Sequence, residues 1–209
     1  MGYVLALIFL YWLIRGVLGA FGPSLEVLRG REGERRVHET LTRCLDRKIY
    51  HMISDVTLPT ENGTAQIDHV VVSPFGVFVI ETKTIAGLVI GGHHDATWRV
   101  FFRKREYPMR NPCLQQKTHI KALKSVLQLP DYVFVSFVVF AGTAKLGKNM
   151  PDEICSLYDS TEKITQYKKQ RFTTLEVAQI IEDIKKTRLP PGRKTNKIHV
   201  ENIQRMRMQ

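Results

Sequence analysis

Cysteine is scarce. The chain has only three, Cys44, Cys113 and Cys155, far apart and odd in number. They form neither a zinc-ligand spacing nor a disulfide framework, which suits a reducing compartment where each thiol is a small buried hydrophobe. Acidic residues are also in short supply, 20 against 31 Lys and Arg, so the net charge is +11. A chain so poor in negative charge is matched to polyanions, either nucleic acid or the anionic leaflet of a membrane. There is no internal repeat and no extended low-complexity segment, which excludes a solenoid and a disordered scaffold. What is present is 209 residues with 44% apolar content, enough for one packed domain of ordinary size plus an appendage.

Residues 3 to 21, YVLALIFLYWLIRGVLGAF, hold a single charge, Arg15. Their length matches a membrane-spanning helix of roughly 20 residues. Tyr3, Tyr11 and Trp12 could sit at interfaces, and Arg15 would snorkel toward the C-terminal side. No Lys or Arg precedes the apolar run, and Val17-Leu18-Gly19-Ala20 makes a poor cleavage site, which counts against a signal peptide. A helix lying on a surface is the third option. Arg15, Arg29, Arg31, Arg35 and Arg36 all lie on the C-terminal side, so the positive-inside rule leaves the remaining chain in the cytoplasm.

The chain is organised around Gln66 to Lys83, QIDHVVVSPFGVFVIETK. Runs rich in Val, Ile and Phe flank Ser73-Pro74-Phe75-Gly76, where Pro fixes φ and Gly accepts φ > 0, so the stretch reads as two strands and a tight turn. Charges interrupt it only near its open end, at Asp68, Glu81 and Lys83, and charges inside such strands are costly unless paired or bound to a metal. Alternation puts Glu81 and Lys83 on one face. A two-residue loop at Pro74-Phe75 sets Asp68 opposite Glu81; a three-residue loop ending at Gly76 shifts the register and requires a bulge. Two carboxylates, helped by a backbone carbonyl such as that of Thr82, are hard donors for Mg²⁺, and a nearby lysine can hold water and offset charge on a phosphate. That set suits phosphodiester hydrolysis. A salt-bridged strand end would carry the same residues.

An Asp, a gap of about a dozen residues and then Glu-x-Lys resembles the PD-(D/E)xK nuclease superfamily. The longer text, with GREGERRV (Gly30 to Val37) upstream and NPCLQQKTHIKAL (Asn111 to Leu123) downstream, is similar to the nuclease-related domain family. The resemblance covers about residues 30 to 205 and is strongest over 30 to 142. It implies an α/β fold, a restriction-endonuclease-like mixed sheet flanked by helices on both faces. It implies a site in which Asp68, Glu81 and Glu34 hold Mg²⁺ (or Mn²⁺), Lys83 positions the attacking water and Gln115 orients water or substrate. It implies nucleic acid, DNA foremost, as partner. The expected organisation is an anchor over 1–22, a nuclease-like domain over 23–189 and a basic tail over 190–209. A membrane-tethered module that keeps the fold and only binds is the rival reading.

The remaining elements follow from periodicity and caps. A helix is expected from about Gly33 to Leu45, with Val37, Leu41 and Cys44/Leu45 on one stripe. Glu34 extends that stripe, so it either serves the site or pairs with a nearby Arg, whereas Glu39 is solvated. A strand is expected from Ile49 to Leu58, then a hairpin turn at Asn62-Gly63. His69 faces away from Asp68 and reads as a packed histidine. His93, His94 and Asp95 sit in a loop with no fourth ligand in evidence and read as a solvated turn. Arg99, Arg103, Lys104, Arg105 and Arg110, interleaved with Phe101, Phe102 and Tyr107, fit either a phosphate-gripping surface or a charged sheet edge. A helix opens at Asn111-Pro112 and runs to Leu127, with Ile120, Leu123 and Leu127 inward and Lys117, Lys121 and Lys124 outward. Gln116 stands where the family resemblance leads one to expect Asn. Tyr132 to Ala141 reads as a buried strand, Glu153 to Tyr158 as a short one, Leu175 to Lys186 as a helix capped by Thr173 or Thr174, and Val200 to Arg207 as a weak helix.

Overall fold

The computed structural model describes residues 25–208. The apolar segment 3–21 lies outside them, and among the described residues no helix is long and apolar enough to cross a membrane. The elements, in order, are α1 (Leu25–Cys44), β1 (His51–Thr60), β2 (Gly63–Ser73), β3 (Gly76–Lys83), β4 (Gly87–Ile90), β5 (Thr97–Phe102), β6 (Arg105–Arg110), α2 (Pro112–Leu127), β7 (Phe134–Phe140), β8 (Ala144–Leu146), β9 (Ile154–Ser156), α3 (Ser160–Thr165), α4 (Thr174–Thr187) and α5 (Arg193–Met208).

The chain is a mixed α/β fold with two mixed sheets. The main sheet has five strands in the order β1-β2-β3-β7-β9. Its first three strands are antiparallel, and β3, β7 and β9 are parallel. Period-two alternation divides the central strands between two cores. Val70, Val72, Val77 and Val79 pack against Ala122 and Leu123 of α2 and Val177, Ile180 and Ile184 of α4. Val71, Phe78 and Ile80 pack on the other face against Val37 and Leu41 of α1. Each such side chain, fully buried, contributes roughly 1.5–3 kcal/mol. Helices therefore cover both faces, as the apolar β3 and β7 require.

The strands between residues 84 and 110 do not extend this sheet. They join β8 in a second sheet of four strands, β6-β5-β4-β8. Trp98, Val89 and Val100 of this sheet bury against Val138, Phe140 and Ile154 of the main one. The β4–β8 pairing is parallel and long-range, so no local pattern announces it.

Other boundaries moved for local reasons. The first helix begins at Leu25, and its last residue, Cys44, is exposed, whereas Cys113 and Cys155 are buried. The β1–β2 turn uses Glu61-Asn62, with Thr60 paired to Gly63. Pro59 stays within β1 because β1 is an edge strand. Thr173 caps α4 with a full capping box to Glu176. The C-terminal helix is longer than expected, beginning at Arg193, and it packs on β2.

Candidate active site

The turn decides the site. Ser73 pairs with Gly76 and His69 with Ile80, so the loop is the two-residue Pro74-Phe75 and the same register sets Asp68 across from Glu81. Gly76 has φ +151°, and a Cβ there would stand 2.9 Å from the carbonyl oxygen of Val133, so only glycine closes this turn beside the main sheet. The β2–β3 ladder ends at His69 and Ile80. Beyond it β2 keeps pairing with β1, while β3 keeps pairing with β7 as far as Lys83. Where the two strands part, Oδ2 of Asp68 accepts the Thr82 N–H at 2.7 Å.

Glu81 is 4% exposed. Its Oε1 accepts from Nζ of Lys83 at 2.5 Å, and Lys83 also donates to Oε1 of Gln115 at 3.1 Å. Lys83 thus joins the hairpin to the first turn of α2. Oε2 of Glu81 is buried without a hydrogen-bond partner. Glu34 approaches from α1, on which Gly33 is required, because a Cβ there would meet Oγ1 of Thr84 at 1.8 Å. Arg35 pairs with Glu32 and Glu39 rather than with Glu34. Glu34 is half-buried. Burial pushes its pKa up, the charges of Asp55 and Glu81 add to that, and Arg31 and Lys83 oppose it. Burial, then Glu81 and Glu34, hold the Asp68 pKa well above the usual carboxylate range, against the Thr82 N–H and Lys83.

The sequence-predicted residues therefore converge: Asp68, Glu81, Lys83 and Gln115 meet at one strand end, with Glu34 within electrostatic reach. A family model for the nuclease-related domain matches residues 29–141. The chain belongs to the nuclease-related domain family. An uncharacterized protein of Bacillus anthracis is 32% identical over 160 residues, which cover 75% of this chain and 75% of its relative. No solved structure matches the chain.

Two residues of this nuclease-related domain escaped the sequence reading. Asp55 lies in β1 between the pairs Ser54↔His69 and Val56↔Ile67, so the register sets it opposite Asp68. Its φ is +53° and its Oδ1 accepts from Nε2 of Gln66 at 2.9 Å. Asp is among the few residues that tolerate this left-handed conformation. A lone charge inside MISDVTL was the available signal. His119 follows Gln115 by one turn of α2, and its Nδ1 lies 3.7 Å from Oε2 of Glu81. Burial lowers its pKa to about 4, with the Lys83 charge adding, so it is neutral at pH 7. The i, i+4 spacing from Gln115 was the signal there. Gln116 is buried and donates to the carbonyls of Val79 and Phe137 at 3.0 and 2.7 Å, tying α2 to β3 and β7. His69 is packed as expected, its Nδ1 2.9 Å from Oγ of Ser54.

The donor chemistry fits a hard divalent cation. Two adjacent carboxylates, both desolvated and one with an unpartnered buried oxygen, are unfavourable unless positive charge is shared between them. Among the described residues no group of three or more His, Cys, Asp or Glu stands ready to hold an ion. Asp68, Glu81 and a backbone carbonyl at the strand end are the donors on offer. Such a sparse set suits Mg²⁺, which keeps several waters and takes one or two carboxylates.

Proposed function

We propose that this chain is a metal-dependent nuclease hydrolysing phosphodiester bonds of nucleic acid, DNA foremost, and that residues 3–21 tether it to the membrane with the domain facing the cytoplasm. The observation that carries the reading is the register of one hairpin: it opposes Asp68 to Glu81 at the point where the strands part, with Lys83 reaching both Glu81 and Gln115.

Asp68 and Glu81 would hold Mg²⁺ (or Mn²⁺), and Glu34 would support them from α1. The cation supplies polarisation of a phosphoryl oxygen and a lowered pKa for the attacking water. The Lys83 ammonium, held between Glu81 and Gln115, would position a water and offset charge growing on the phosphate. Gln115 holds Lys83 in line and orients water or substrate. The second reading, a tethered module that binds nucleic acid without cutting it, draws on the Lys83–Glu81 ion pair, which neutralises Glu81 without a metal.

The test is cleavage of supercoiled plasmid and single-stranded DNA with Mg²⁺, Mn²⁺ or chelator, for the full-length protein and for Glu81→Gln and Lys83→Ala. Cleavage by the wild type should require metal, and each variant should lose about 10²-fold or more. Undiminished cleavage by both variants would remove these residues from the chemistry. Salt-sensitive binding with no cleavage under any metal would establish the binding module instead.

A further inference from the structure

The β5–β6 hairpin takes no part in the site described above. Residues 97 to 110 contain five basic side chains, Arg99, Arg103, Lys104, Arg105 and Arg110, and one acid, Glu106. All five basic residues are exposed. None forms a salt bridge with a described residue, although elsewhere the surface pairs Arg35 with Glu32 and Glu39, Lys124 with Asp131 and Lys185 with Glu182.

Pairing of Phe102 with Arg105 leaves Arg103-Lys104 as the tip of the hairpin, and Arg103 has φ +56°. The Arg103 guanidinium lies 5.3 Å from the centre of the Phe102 ring. Phe102 is 39% exposed and Tyr107 45%. Trp98 and Val100, at the base, are buried, so the tip stands on a rigid footing. An edge strand needs charge to block pairing with other chains, but bare aromatics beside that charge work against the purpose. Guanidinium groups around an exposed ring are instead what a phosphate backbone with unpaired bases requires.

The placement is equally specific. Gly87, which opens the second sheet, follows Lys83 by four positions, and Asn111, which closes the hairpin, caps the helix that carries Gln115. Trp98 and Val100 of the hairpin pack against Val138 and Phe140, the β7 residues that pair with Glu81 and Lys83, so the base of the hairpin sits on the strand beside the carboxylate pair.

We propose that the β5–β6 hairpin is a nucleic-acid-gripping arm: Arg103, Lys104 and Arg105 neutralise backbone phosphates and Phe102 stacks on an unpaired base, which lays a single strand across the Asp68–Glu81 site. This deepens the nuclease reading and rests on it for the purpose of the grip, while the binding is measured without catalysis.

The test uses the full-length protein in chelator, a fluorescent oligothymidylate and a DNA duplex, titrated over a range of salt. The triple variant Arg103→Ala, Lys104→Ala, Arg105→Ala should bind the single strand at least tenfold more weakly. Its slope of log affinity against log salt should fall by about 2, three phosphate contacts at about 0.7 each. Phe102→Ala should weaken the single strand by about tenfold and the duplex far less. Matching thermal melts exclude misfolding as the cause. Wild-type binding left unchanged in both variants would overturn the arm and leave the nuclease reading untouched. Weakened binding in the variants together with a wild type that never cleaves would uphold the arm and reject the nuclease. Loss of binding to phosphatidylserine vesicles, with oligonucleotide binding intact, would assign the hairpin to a membrane surface and overturn the proposal.

Discussion

Asp68 sits where its surroundings oppose a negative charge. Burial, Glu81 and Glu34 raise its pKa, while the Thr82 N–H and Lys83 only partly compensate. Asn at this position keeps an oxygen for the Thr82 N–H and removes the charge. Asp68→Asn should therefore melt a few degrees higher than the wild type in chelator, the scale on which about 1 kcal/mol registers in a chain of this size. The sign of the pH dependence follows. A carboxylate whose folded pKa is raised costs stability once pH exceeds its unfolded value of about 3.9, and the cost is complete above the folded pKa. The two melting curves should coincide in strong acid and separate as pH rises. Adding Mg²⁺ should raise the wild-type Tm and leave that of the variant nearly unmoved. An equal rise in both would place the cation elsewhere.

At the scale of elements, α2 depends on one buried side chain. Asn111 is fully buried. Its Oδ1 accepts the Cys113 N–H at 2.9 Å, and its Nδ2 donates to the carbonyls of Asp95, His93 and Gly92 at 2.6, 3.1 and 3.3 Å. The same residue starts the helix that carries Gln115 and closes the 92–95 loop. That loop is structural: Oδ2 of Asp95 accepts the Gly92 N–H at 2.7 Å, and Nε2 of His93 lies 3.0 Å from Oε1 of Glu153. Asn111→Ala leaves the Asp95 and His93 carbonyls and the Cys113 N–H without their partner, while Nε1 of Trp98 still serves the Gly92 carbonyl, and should cost about 2–4 kcal/mol in urea unfolding. A loss under about 1 kcal/mol would show that water replaces the side chain.

For the whole molecule, the C-terminal helix is the unexpected support. Nδ1 of His199 lies 2.8 Å from Oγ1 of Thr64, and Asn202 donates to the same oxygen at 3.3 Å. Gln66 spans the gap between Asn196, at 3.5 Å, and Asp55, at 2.9 Å. The helix therefore backs the part of β2 that leads into Asp68. Ending the chain at Leu189 should speed amide exchange of Thr64 and Gln66 by about tenfold or more and leave Phe78 and Ile80 protected, because local openings are set by local support. Unchanged exchange at Thr64 would mean that the helix is an appendage.

Much of this was legible in the residues themselves. Alternation and Pro74-to-Gly76 turn chemistry specify the central hairpin, and the Asp68, Glu81, Lys83 spacing marks its open end. Thr173 with Glu176 announces α4, and Asn111-Pro112 announces α2. All of these are signals between neighbours in the chain. The choice between a two- and a three-residue turn was not of that kind. It rests on the register of β3 against β2, Ser73 with Gly76, while β3 also pairs with β7. Asp55 was hidden because its left-handed backbone breaks the alternation from which side-chain direction is read. His119 was hidden because periodicity groups it with Gln115 without saying which buried carboxylate that face will meet. The second sheet was hidden because β4 and β8 are distant segments of the chain, Gly87 pairing with Ala144. Sequence alone determined the family, most of the helices and main-sheet strands, and the residues whose chemistry suits the proposed site. Tertiary structure alone decided which of them share one desolvated strand end, because that depends on strand pairings and helix approaches between distant segments of the chain.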